Sequence, residues 1–145
     1  MIQLYEELID VLEREFSLCA QLVGLLQREK DVIVSLDPSA LEELLSEKES
    51  VSTNIRMCEE ARERILDLLG FKNKTISQVA AVAADDYRDR LTGIASKFTS
   101  VIQSITELNK LNGKLIEKSL YYIKTSYNFL NNFGVTARQR VSLEA

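Results

Sequence analysis

"ELNKLNGKLIEKSLYYIKTSYNFLNNF", Glu107 to Phe133, has the spacing of a packing helix, yet asparagines interrupt its apolar stripe and it finishes in a cluster of Tyr, Ile, Leu and Phe. Upstream the same period is already running: Leu91, Ile94, Phe98, Val101, Ile105 and Leu108 alternate steps of three and four, and Asn112, Leu115, Ser119, Tyr122, Ser126, Phe129 and Phe133 continue them. Apolar residues recurring at i, i+3, i+4 and i+7 specify one face of an α-helix. The segment therefore closes a single long helix that ends near Asn132.

Two more helices precede it. Ile2, Tyr5, Ile9, Leu12, Phe16, Cys19, Val23 and Leu26 form one row, and Leu4, Leu8, Val11, Leu18, Leu22 and Leu25 form its neighbour. Two adjacent stripes give the first helix, 2–34, contact with more than one partner. In "LDPSALEELL", Asp37 is an N-cap and Pro38 occupies the first helical position, which opens a second helix over 38–69. Its seam includes Lys48 and Arg62, read as snorkelling stems or as places where two helices diverge. Gly70 follows as a left-handed stop. Thr75 and Gln78 can form a capping box, so the third helix starts there or near Asp85.

The expected fold is all-α: an elongated, coiled-coil-like antiparallel three-helix bundle with a long projecting C-terminal helix. Residues 1–134 make one unit and 135–145 a flexible tail. At 1.5 Å per residue, helices of about 32 residues reach roughly 50 Å, and Asp85 to Asn132 roughly 70 Å. The overhang carries Leu120, Tyr121, Tyr122, Ile123, Tyr127, Phe129, Leu130 and Phe133, an apolar cluster that calls for a cover. A partner protein, a folded-back loop or a second copy of the chain would supply one. Asn109 and Asn112 either fix helix register or receive hydrogen bonds from a bound peptide helix.

Composition narrows the function. With no histidine and two cysteines at apolar positions of different helices, the common nucleophile and metal constellations cannot be assembled, so neither catalysis nor a cofactor is expected. No stretch approaches the roughly 18 apolar residues that span a bilayer, and the acidic N-terminus is unlike a signal peptide, so a cytoplasmic protein without stable membrane insertion is expected. Residues 109–145 hold six Lys/Arg and two Asp/Glu, a basic end on an acidic chain of net charge -4. Without a recognition motif this does not indicate nucleic-acid binding.

The segments "LDPSALEELLSEKESV" and "LNKLNGKLIEKSLYYIKTSYNFL" resemble the FlgN family of flagellar export chaperones. The second matches the family's N-x-x-N-x-x-L stretch. This resemblance implies a non-enzymatic protein that binds the C-terminal helices of the hook-filament junction proteins FlgK and FlgL before secretion, and that docks to the export gate protein FlhA through a tyrosine near its C-terminus. On that basis Asn109, Asn112, Leu115, Ser119, Tyr122, Ser126, Phe129, Leu130 and Phe133 are the candidate client surface. Tyr121 and Tyr127 are the candidate gate contacts, and whether two copies pair as a homodimer in the absence of client stays open. The alternative is a structural coiled-coil protein that forms a permanent homo-oligomer through the last helix.

Overall fold

The computed structural model describes the backbone of residues 2–144 and the side chains of residues 2–132. Among the described residues it is all-α, with four helices: α1 Ile2–Ser35, α2 Pro38–Leu68, α3 Ile76–Val82 and α4 Asp85–Glu144. Both starts anticipated for the third helix are real, because each opens a separate helix. Thr75 and Gln78 form the reciprocal capping box of α3, at 3.2 and 2.9 Å. Extended backbone at Ala83 then ends that short helix before Asp85 and Asp86 supply the acidic first turn of α4. Phe133 and the tail expected at 135–145 lie outside the residues whose side chains are described, although α4 runs through Glu144.

Local chemistry sets the other boundaries. Asp37 Oδ1 accepts from the backbone N–H of Ser39 and Ala40 at 3.1 and 3.3 Å, and Pro38 beside it has no N–H to satisfy. At the far end of α2, Gly70 takes φ 82. Its N–H donates to Asp67 O at 3.0 Å and that of Phe71 to Leu66 O at 2.8 Å. These two bonds are a Schellman motif, and Phe71 is half-buried against the apolar core.

The packing makes α1 the centre. It lies against both α2 and α4, α3 packs on α4, and no Cα of α2 comes within 8 Å of one in α4 among the described residues. The two stripes of α1 thus each find a helix. Contacts fix the directions: Tyr5 stacks on Tyr87 with ring centroids 5.0 Å apart, Phe16 meets Phe98 edge-on at 6.0 Å, and Asn112 bonds to Leu26, so α1 and α4 run parallel. Glu15 pairs with Arg62 and Glu29 with Lys48, so α1 and α2 run antiparallel. The main apolar cluster, from Tyr5 to Cys19 of α1 and from Leu91 to Val101 of α4, is closed below by Ile65 and Leu66 of α2, by its C-cap Leu69 and by Val79, Ala80 and Ala83.

Lys48 and Arg62 are neither divergence points nor merely snorkelling stems. Each reaches a carboxylate buried on α1: Arg62 Nη1 lies 2.7 and 2.8 Å from the two oxygens of Glu15, and Lys48 Nζ lies 2.6 Å from Glu29 Oε2. Glu15 and Glu29 stand two heptads apart on α1, and Lys48 and Arg62 two heptads apart on α2. The register these pairs define sets Leu12 opposite Ile65, Cys19 opposite Cys58 and Ile33 opposite Leu44, all buried. An antiparallel slip of one heptad would put both carboxylates opposite apolar residues, which the cost of an unpaired buried charge forbids.

Candidate functional site

The bundle ends in a polar knot followed by an apolar opening. Asn112, 1% exposed, donates through Nδ2 to Leu26 O at 2.8 Å and to Glu29 Oε1 at 3.0 Å. Glu29 holds Lys48 with its other oxygen, so one carboxylate links α1, α2 and α4. Both bonds of Asn112 use the amide nitrogen, which fixes which way the amide faces. Asn112 was expected on the client surface; it is instead inside the bundle, where its amide nitrogen reaches the Glu29 oxygen that Lys48 leaves over while its own Oδ1 is buried with no partner among the described residues. Asn109, three residues earlier, is exposed.

Past this knot, α4 keeps the α1–α2 turn at its side as far as Ile123 among the described residues. Leu115, Ser119 and Ser126 are half-buried, whereas Tyr122, Phe129 and Leu130 are exposed, Phe129 at 68%. Tyr121 and Tyr127 are also exposed, at 73% and 67%. At about 100° per residue these side chains sort into two stripes. Leu115, Tyr122 and Phe129 form one, and Ile116, Leu120, Ile123, Tyr127 and Leu130 form the other. The line of Ser119 and Ser126 runs between them on the side of the helix that continues from Asn112.

The second stripe begins in a cleft. Ile116, Leu120 and Ile123 face Leu36, Leu41 and Leu45 of the α1–α2 turn across about 350 Å³, with Val32 and Ile33 among the lining groups. Sequence reasoning missed this cleft. Three segments far apart in the chain build it, and the only local signal was Leu36, an apolar residue at the helix stop where glycine or asparagine is common.

Electrostatics distinguish the buried pairs from the opening. Burial pushes the Glu15 carboxyl above its ordinary range, against the opposing pull of Arg62. Burial also drives the Cys19 thiol up to about 11, with Glu15 and Glu59 adding to it. A thiol held so high is overwhelmingly protonated at neutral pH and a poor nucleophile or metal ligand. Both cysteines are free and buried, and no group of His, Cys, Asp and Glu among the described residues is arranged to hold a metal. No helix among the described residues is long and apolar enough to cross a membrane.

The family model for the FlgN protein matches residues 1–135. The chain belongs to the FlgN family. The match takes in α1, α2, α3 and α4 past the two stripes. FlgN proteins are flagellar export chaperones, a family of client-binding rather than enzymatic proteins. No curated protein and no solved structure matches the chain.

Proposed function

We propose that this FlgN protein is a cytoplasmic chaperone of flagellar type III export that captures the C-terminal helices of the FlgK- and FlgL-type junction proteins and delivers them to FlhA. The observation that carries the reading is the clustered exposure of the α4 apolar residues from Leu120 to Leu130 on a chain whose other large apolar groups are mostly buried or half-buried. An unfolded client's amphipathic helix would cover them in a helix-in-groove arrangement. In this reading residues 1–134 act as one elongated bundle, α2 antiparallel and α4 parallel to the central α1, with the far part of α4 projecting as the client arm.

Client contact is assigned to Leu115, Tyr122, Phe129 and Leu130, with Asn109, Ser119, Ser126 and Phe133 at its margin. Tyr121 lies about 100° from Tyr122. It and Tyr127 are assigned to the gate, since Tyr121 lies off both stripes and Tyr127, one turn beyond Ile123 on the second stripe, stays open where a client helix seated at the cleft stops short of it. Two exposed stripes would also suit a permanent homo-oligomer built on α4, which a client-free sedimentation measurement distinguishes from the chaperone.

The test is titration calorimetry with a junction protein's C-terminal helix, beside a secretion assay. Phe129→Ala is expected to weaken client binding by about 1 to 3 kcal/mol, the range of an interface anchor. Tyr121→Ala and Tyr127→Ala should leave that affinity near normal and lower secretion. Equal affinity losses in all three variants would reject the division of roles, and no binding by the unaltered chain would reject the chaperone reading.

A further inference from the structure

The α4 arm is only one wall of an apolar recess. Leu36 at the α1–α2 turn and Leu41 and Leu45 at the start of α2 face Ile116, Leu120 and Ile123 across the cleft. A helix is roughly 10 Å across, so a space of about 350 Å³ takes side chains rather than a backbone.

Leu36 shows that apolar surface is placed here against local preference. Its φ is 55, in the left-handed region that glycine or asparagine enters at lower cost, and its side chain is 52% exposed. Leucine here forgoes the conformational ease of glycine and adds a large apolar group to the rim.

The rims carry opposite charge. Beyond Leu41 and Leu45, α2 presents Glu42 and Glu49, with Glu43 nearby, all exposed and in no ion pair among the described residues. Beyond Ile116 and Leu120, α4 presents Lys110 and Lys124 on either side of Glu117, and both lysines likewise make no ion pair among the described residues. Elsewhere on this molecule exposed charges do find partners across helices, as Arg28 with Glu47 and Arg90 with Glu6 at 2.9 Å show.

We infer that the α1–α2 turn is the second wall of the client groove and that its occupant is one amphipathic helix of the client. That helix seats a leucine-sized side chain in the cleft, turns a basic edge toward α2 and turns an acidic edge toward α4. The inference rests on the client-binding reading and deepens it: α4 supplies apolar area, while the turn supplies an anchor and a polarity. Since a helix with unlike edges fits between unlike rims in one direction only, the rims also dictate which way the client runs.

Two synthetic helical peptides of about 18 residues test this, sharing one leucine stripe and differing only in which edge carries Lys and which Glu. Titrated into the full chain, they are expected to differ in affinity by about tenfold or more, and the Glu42→Lys, Glu49→Lys variant should reverse the preference. Leu36→Gly is the second arm, because it removes the anchor contact while relieving the left-handed backbone. It should weaken the preferred peptide by about tenfold with the melting temperature unchanged or raised. Equal affinity of the two peptides, or a Leu36→Gly variant that binds as well as the parent, overturns the inference. If Leu36→Gly also retains the junction protein at full affinity, the cleft role alone falls. If the unaltered chain binds neither peptide nor junction protein, the chaperone reading falls with it. A dimer of the unaltered chain that Leu36→Gly turns into monomer would make the occupant a second copy and overturn the inference.

Discussion

One helix carries two regions with opposite fates. Between Leu91 and Val101, α4 buries Leu91, Ile94, Phe98 and Val101 against α1; between Leu120 and Leu130 it exposes residues of the same apolar kind at the same spacing. The difference lies in the neighbours, since α1 stops at Ser35 and α2 starts at Pro38. Periodicity encodes that a helix has a face to bury, and chain length elsewhere decides whether this molecule buries it. Where the partner is internal, the apolar layers are also punctuated by buried ion pairs that fix alignment; the exposed segment has none among the described residues.

The sharpest way to break this contrast is to unpair a charge in the bundle. Arg62→Ala leaves the Glu15 carboxylate buried without its guanidinium and is expected to cost about 2 to 3 kcal/mol, discounted from the fully buried case because Arg62 keeps contact with solvent. The pH dependence has a definite sign. Burial holds the folded pKa of Glu15 above its ordinary value of 4.5, so the folded state binds the proton more tightly and Glu15 favours folding most below that value. Its contribution falls as pH rises through the raised folded pKa. The variant's deficit should therefore shrink as the pH is lowered toward 4.5, as denaturant melts at a series of pH values will report.

A smaller effect is expected at the boundary between the regions. Asn112→Leu adds apolar area at a seam, which from helix pattern alone would stabilise. Here it removes two hydrogen bonds, one to a carboxylate that Lys48 satisfies only in part. A loss of about 1 to 3 kcal/mol in thermal or chemical denaturation is expected. A gain would mean that the apolar contact outweighs the knot.

Smallest is Gly113→Ala. A Cβ there meets nothing within 4 Å, and the residue is inside a helix, so alanine should stabilise by about 0.5 to 1 kcal/mol. Client affinity should not change. A fall in affinity with a raised melting temperature would show that the arm bends at Gly113 when it binds.

Much of this fold was readable residue by residue because its signals are local. Asp37 with Pro38, Gly70, and Thr75 with Gln78 each act within a few positions, and all three termini formed as their chemistry dictates. The pairing of α1 with both other long helices was foreshadowed by its two stripes. Glu15 and Glu29 were harder, since each looks like an ordinary solvated charge until set against Lys48 and Arg62 running the other way at the same interval. That comparison was available in the sequence but needs the antiparallel alignment first. The cleft was less legible still, because Leu36, Leu41 and Leu45 become a wall only once the end of α1, the start of α2 and the middle of α4 meet.

The central place of α1 also has a consequence for synthesis. Its contacts with α2 are closed by a two-residue turn, whereas those with α4 join positions such as Leu26 and Asn112, 86 residues apart. Local pairing forms faster than distant pairing, so the α1–α2 hairpin is expected to assemble while α4 is still being translated. One stripe of α1 must then wait, uncovered, for the last helix to emerge. The nascent hairpin is itself a short-lived client without a chaperone.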